Sequence, residues 1–222
     1  MFITYFKGGN ILNQNQYGQN QTHQNMQTGS VSPQMNHGGH ELFDVKEVLN
    51  LMVAGLNLKT ILRPHVQDQE LLNILDRQYA FALDEYNITV EAFKTGQDPS
   101  HPTSSYKMQL NNDFVFGLKP SQPKKPIQSA NEITDEMISG YLLGSAKSSA
   151  KAKASAALET TNPVVRRVLA DSIPNCIEMA YELSIYQNKH HYYQVPQLDQ
   201  QSAQEMLNSF GTAQGPLYKN VH

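Results

Sequence analysis

The stretch TDEMISGYLLGSAKSSAKAKASAALETTNPVVRRVLADSIPNCIEMAYELSIYQNKHHYY, residues 134–193, reads as two long helices folded back on each other. The first, Thr134 to about Glu159, is crowded with alanine, the best helix former, and with other small residues from Gly140 to Ala157. At Glu159-Thr160-Thr161-Asn162-Pro163 the chain has to turn. Asn162 is placed to cap a new helix, and Pro163 occupies the first turn, where a missing N–H costs nothing. The second helix carries Val165, Val168, Leu169, Ile173, Cys176, Ile177, Ala180 and Leu183 at three- and four-residue spacing, with Arg166, Arg167, Asp171, Glu178 and Glu182 on its wetter faces. Such a hairpin cannot bury its own apolar stripes and needs a partner.

The partner lies upstream. Leu42, Val45, Leu49, Met52 and Leu56 fall on a heptad seam, so residues 41–62 predict an amphipathic helix ended by Pro64. Asp68 can cap the next helix, in which Leu72, Leu75, Tyr79, Ala82, Tyr86 and Phe93 recur up to Gly96. Two helices joined by a few residues lie antiparallel. Between them and the 134–195 hairpin, residues 97–133 are interrupted by Pro99, Pro102, Pro120, Pro123 and Pro126, and Phe114-Val115-Phe116 is apolar enough to dock. A helix of this length spans about 40 Å at 1.5 Å per residue, so a link that traverses a bundle must be long and partly packed. The reading is all-α: a ferritin-like four-helix bundle in the order hairpin (41–96), long crossover (97–133), hairpin (134–195), forming one domain over 41–195. The bundle interior is expected to be purely apolar.

The flanks read differently. Residues 1–40 are rich in Gln, Asn and Gly with almost no aliphatic residues, a composition that cannot offset the entropy of ordering, so a disordered tail is expected. Its His23, His37 and His40 have no cysteine or carboxylate framework around them and carry no metal assignment. Residues 196–222 form a C-terminal tail with a weakly amphipathic run from Ala203 to Phe210.

Composition narrows the function. The 222 residues have 39% hydrophobic content and a net charge of −3, with a mean hydropathy of −0.50 and a pI near 6.2. That charge makes no electrostatic case for nucleic acid or an anionic membrane. A single cysteine, Cys176, excludes an internal disulfide framework and reads as a small buried hydrophobe. No apolar run approaches the roughly 20 residues that cross a bilayer. Met1 to Lys7 is too short and poorly organised for a signal peptide, so synthesis and use on the same side of the membrane are expected.

The topology invites a test for a di-iron or di-manganese carboxylate centre, which needs Glu-x-x-His on two helices. Glu47 meets Asn50, Glu85 meets Ile88, Glu136 meets Ser139, Glu178 meets Tyr181 and Glu182 meets Ile185. His65, His101, His190 and His191 fall at helix ends or in the crossover. No phosphate loop or nucleophile motif is present. No catalytic, cofactor-binding or metal residue is therefore assigned. Gly140 and Gly144 read as a close approach between helices, Lys147, Lys151 and Lys153 as a solvated face, and Pro174 as a kink or a lost hydrogen bond.

Leu142-Leu143, Lys147, the alanine run to Ala157-Leu158-Glu159, then Asn162-Pro163 and Arg166 resemble the coat F domain of endospore-forming bacteria. In place of the Gly-containing aromatic ending associated with that domain stands Lys189-His190-His191-Tyr192-Tyr193. The resemblance implies a non-enzymatic structural component of the spore coat, made in the mother-cell cytoplasm and acting in coat assembly. Its partners would be other spore coat proteins and copies of itself, with no cofactor, nucleic acid or membrane insertion. The Gln-rich tail, exposed lysines and Tyr192-Tyr193 are candidate cross-linking groups. The alternative is a ferritin-like metal-dependent oxidoreductase with atypical ligands.

Overall fold

The computed structural model describes residues 36–213 and 215. Among these residues five α-helices follow one another: α1 Gly39–Leu62, α2 Gln69–Thr95, α3 Asp135–Glu159, α4 Pro163–Lys189 and α5 Gln200–Leu207, with 3₁₀ turns at Arg63–His65 and Ala130–Glu132. Among the described residues there is no strand, only an isolated parallel bridge between Phe116 and Val195. The chain is all-α. The Gln/Asn-rich stretch up to residue 35, His23 included, lies outside the described residues, whereas α1 opens at Gly39, two residues ahead of the expected start.

The helix boundaries have local causes. Asn162 Oδ1 accepts from Val164 N and Val165 N at 2.9 and 3.1 Å, which caps α4 with Pro163 as its first residue. Asp68 Oδ1 accepts from Glu70 N at 2.7 Å and so opens α2. Gly96, at φ 63°, ends that helix in the left-handed region glycine enters freely. A Cβ at Gly96 would fall 2.2 Å from Asn36 Nδ2, so any side chain there must also displace the Asn36 carboxamide. Helix α4 runs unbroken past Pro174.

The chain divides into two compact units. The first holds the residues up to Ala54, Phe81–Ser105 and Ser149–Pro174. Its core joins Val45, Val48 and Met52 of α1 to Ile88 and Ala92 of α2, Ala156 of α3, and Val164, Val165, Val168 and Leu169 of α4. The second holds Gly55–Ala80, Tyr106–Ser148 and the residues from Asn175 on. Its core is Leu62, Leu71, Ile74, Leu75, Ile138, Leu142, Leu143, Ala180, Leu183 and Tyr186.

The interior is not purely apolar: Gln78, Glu85, Thr89, Lys153, Asn175, Glu182 and Asn188 are all buried, because each polar group is bonded internally. The buried face of α1 includes Glu41 and leaves Leu42 exposed. In α2 the fully buried stripe, Leu71, Ile74, Leu75, Gln78, Glu85, Ile88 and Ala92, lies beside the aromatic-rich seam, whose Tyr79, Tyr86 and Phe93 are only half-buried. In α4 the roles of Ile177 and Glu182 are reversed, Ile177 being exposed and Glu182 buried. Lys153 leaves the solvated basic face for the interior. Gly144 is open to solvent with nothing near its missing Cβ, while Gly140 makes room for Gln187. Cys176 is buried.

Candidate functional site

The most organised polar feature of the second unit is a carboxylate with no solvent contact. Glu182 Oε1 accepts from Arg77 Nη2 at 2.6 Å and from Gln109 N at 2.9 Å. Its Oε2 accepts from Tyr106 Oη at 2.5 Å and from Gln78 Nε2 at 3.2 Å. A carboxylate offers about four lone-pair directions. All are filled, one partner is a cation, and the group is held for structure with no oxygen left for a substrate. Burial first, then the hydrogen bond to Glu182, pushes the Tyr106 hydroxyl far above the ordinary tyrosine value and keeps it a donor.

Two of those donors, Tyr106 and Gln109, belong to the crossover, and further amides continue the attachment. Asn175 Oδ1 accepts from Tyr106 N at 2.9 Å, and Asn188 pairs with the backbone of Val115. Gly117 N donates to Val195 O at 2.9 Å, while the Gln194 carboxamide pairs with Lys119 through both its oxygen and its nitrogen. Lys124 Nζ reaches Tyr192 O at 3.1 Å and Glu136 Oε1 at 2.6 Å. Docking of Phe114-Val115-Phe116 thus runs through backbone bonds. Phe114 stacks loosely on Tyr181, with centroids 5.7 Å apart, and Val115 and Phe116 stay exposed.

The first unit uses the same device. Glu41 Oε2 accepts from Thr161 N, Thr161 Oγ1 and Asn162 N at 2.9, 2.7 and 2.9 Å, and its Oε1 lies 2.6 Å from His37 Nδ1. Burial alone would raise the Glu41 carboxyl, but the bonds from His37, Asn162 and Thr161 outweigh it and hold the group below its ordinary value. Lys153 Nζ pairs with Glu85 inside the core. Arg167 pairs with Asp98 of the crossover, and Asn162 Nδ2 donates to Gly96 O at 3.2 Å.

The residues singled out from sequence scatter. His65 sits in a 3₁₀ turn, His101 is 3.2 Å from Asp84, and His191 follows α4 at φ 59°. His190 stacks on Tyr192 with centroids 5.4 Å apart. Among the described residues no group of three or more His, Cys, Asp or Glu side chains could hold a metal ion. Tyr192 is half-buried against Tyr186 and His190, its hydroxyl pushed up by burial and by Asp135. Tyr193 is exposed under Lys147 Nζ, 5.9 Å from its ring centre. Glu182, Asn175 and Asn188 are the residues that sequence reasoning missed. The signal was present for Glu182, which interrupts the spacing of Met179, Leu183 and Tyr186 on the buried stripe.

Residues 134–196 match the family model described as the Coat F domain. The chain is 52% identical over 180 residues, 81% of its length and 83% of the relative's, to the protein named Spore coat protein F-like protein YhcQ in Bacillus subtilis (strain 168). No solved structure matches the chain.

Proposed function

Because the chain belongs to the spore coat protein F-like family, with its Coat F domain at residues 134–196, we propose that it is a non-enzymatic structural component of the bacterial spore coat acting in coat assembly. The observation that carries this is the 52% identity to a spore coat protein F-like protein across most of both chains. The buried carboxylates support it: Glu41, Glu85 and Glu182 are each bonded to internal donors and serve cohesion. We assign no catalytic, cofactor-binding or metal residue, and the metal-dependent oxidoreductase reading finds no ligand set among the described residues.

In this reading the four long helices adopt the ferritin-like order of hairpin, crossover and hairpin, within a domain of residues 41–195 flanked by tails 1–40 and 196–222. Synthesis in the mother-cell cytoplasm and deposition in the spore coat follow from the family. Among the described residues no helix is long and apolar enough to cross a membrane. The partners are other spore coat proteins and further copies of the chain, with the Gln-rich tail, exposed lysines and the Tyr192-Tyr193 pair as cross-linking candidates. A fluorescent fusion followed through sporulation tests the proposal. A ring around the forespore is expected, and signal confined to the mother-cell cytoplasm through spore maturation would overturn it.

A further inference from the structure

Helix α5 has no buried residue. Met206, Leu207 and Phe210 are 64, 76 and 90% exposed, so among the described residues nothing covers its apolar edge. Elsewhere in the same unit a groove of about 770 Å³ stands open, lined by Pro123, Ile127, Met137 and Tyr141, with Lys125 and the paired Lys124 and Glu136 among its walls. No α5 residue lines it. Proline, tyrosine and methionine walls with a few polar groups are the usual lining of a binding cleft, and the volume lies in the range for such sites.

Charge decides which ligand suits it. From Leu118 to Ile127 the crossover carries Lys119, Lys124 and Lys125 and no acid; from Pro196 to Gly215 the tail carries Asp199 and Glu205 and no lysine or arginine. An amphipathic helix that lies on an anionic membrane presents lysine and arginine on its polar face, so α5 is poorly matched to lipid. It is better matched to an apolar groove where Glu136 balances Lys124 and Lys125 adds a positive charge. We propose, on the self-association reading above, that the apolar edge of α5 with Phe210 from one copy seats in the groove of a second copy, with Glu205 against Lys125. The two surfaces differ, so the contact is head-to-tail and can propagate from copy to copy.

Sedimentation of the full chain over a concentration series tests this. Wild type is expected to gain weight-average mass with concentration, and Met206→Ser with Phe210→Ser to weaken the association at least tenfold. These positions are exposed, so the variant keeps the fold, which circular dichroism verifies. Glu205→Lys and Lys125→Glu are each expected to weaken association, and the double swap to restore it. An unchanged mass profile in the tail variant, or a double swap as weak as the single ones, would overturn the proposal. So would cross-links between positions 205 and 125 that join only same-isotope copies in a mixed sample, or flotation of the chain with phosphatidylglycerol vesicles that depends on Phe210. Localisation of the tail variant in sporulating cells is read separately. A monomeric wild-type chain that still reaches the coat defeats this inference alone, and a self-associating chain absent from the coat defeats the coat reading alone.

Discussion

Asn188 meets Val115 with both ends of its carboxamide: Oδ1 accepts from Val115 N at 2.6 Å and Nδ2 donates to Val115 O at 3.0 Å. A side chain thereby replaces the neighbouring strand that an extended segment ordinarily needs, and Nδ2 also reaches Tyr193 O at 3.0 Å. Asn188→Leu strands backbone groups of Val115, at roughly 1–3 kcal/mol for a buried unsatisfied donor or acceptor. Asn188→Asp keeps the acceptor and loses the donor. Urea unfolding should rank wild type above both variants, and limited proteolysis should cut first near Val115 in each.

Glu182 holds the same crossover from deeper inside. Removing one partner of a buried charged network is costly because the remainder stays buried, so Glu182→Ala is expected to lose about 3–5 kcal/mol, leaving Arg77 without its anion. Tyr106→Phe removes a single donor to that carboxylate and should cost about 1.5–3 kcal/mol, the range for a hydrogen bond to a charged group. In a double-mutant cycle the two losses should fall short of additive, since both act on one carboxylate. Strict additivity would show that Tyr106 packs without bonding.

The pair of Lys153 and Glu85 sets cohesion against desolvation. Lys153→Ala is expected to destabilise by about 3–5 kcal/mol because Glu85 remains buried as a charge. Lys153→Met combined with Glu85→Leu should recover most or all of that loss, since apolar residues of similar volume need no desolvation. Thermal unfolding of the single and double variants reads the difference, and a double variant as unstable as the single would mean that the pair is bonded into a wider network.

What was legible in the sequence followed from groups whose roles are local. Asn162-Pro163 opens α4, Asp68 opens α2 and Gly96 ends it, since caps and breakers act within a turn of themselves. Most of the apolar stripe of α4 was equally plain, Val165, Val168, Leu169, Cys176 and Leu183 being buried. Lys153, Gln78 and the partners of Glu182 were not, because a charged or amide residue reads as solvated until its partner is known, and those partners lie far away in the chain. Tyr106 is separated from Glu182 by 76 positions and Glu85 from Lys153 by 68. Much of the attachment of the crossover was hidden for a second reason: its bonds at Tyr106, Gln109, Val115, Gly117 and Lys119 are made by backbone groups, which have no sequence signature.

Glu41 makes the acid limb of stability predictable. Its folded carboxyl lies below the ordinary 4.5 because hydrogen bonds from His37, Asn162 and Thr161 overcome burial. The folded state therefore binds this proton less readily than the unfolded chain. Its contribution is complete above the unfolded value near 4.5 and is lost as pH falls through the lowered folded value. Glu41→Gln cannot titrate, so the stability gap between wild type and this variant should shrink as pH drops from about 7 to about 3. Tyr106 and Tyr186 behave oppositely: burial, then bonds to Glu182 and Asp68, raise both hydroxyls above the ordinary 10.0. Their contribution is complete below that value and is lost as pH rises beyond it toward the folded values. Tyr106→Phe and Tyr186→Phe should each flatten the alkaline limb, whereas Glu41→Gln should flatten the acid limb, a separation that urea midpoints measured across both limbs would show.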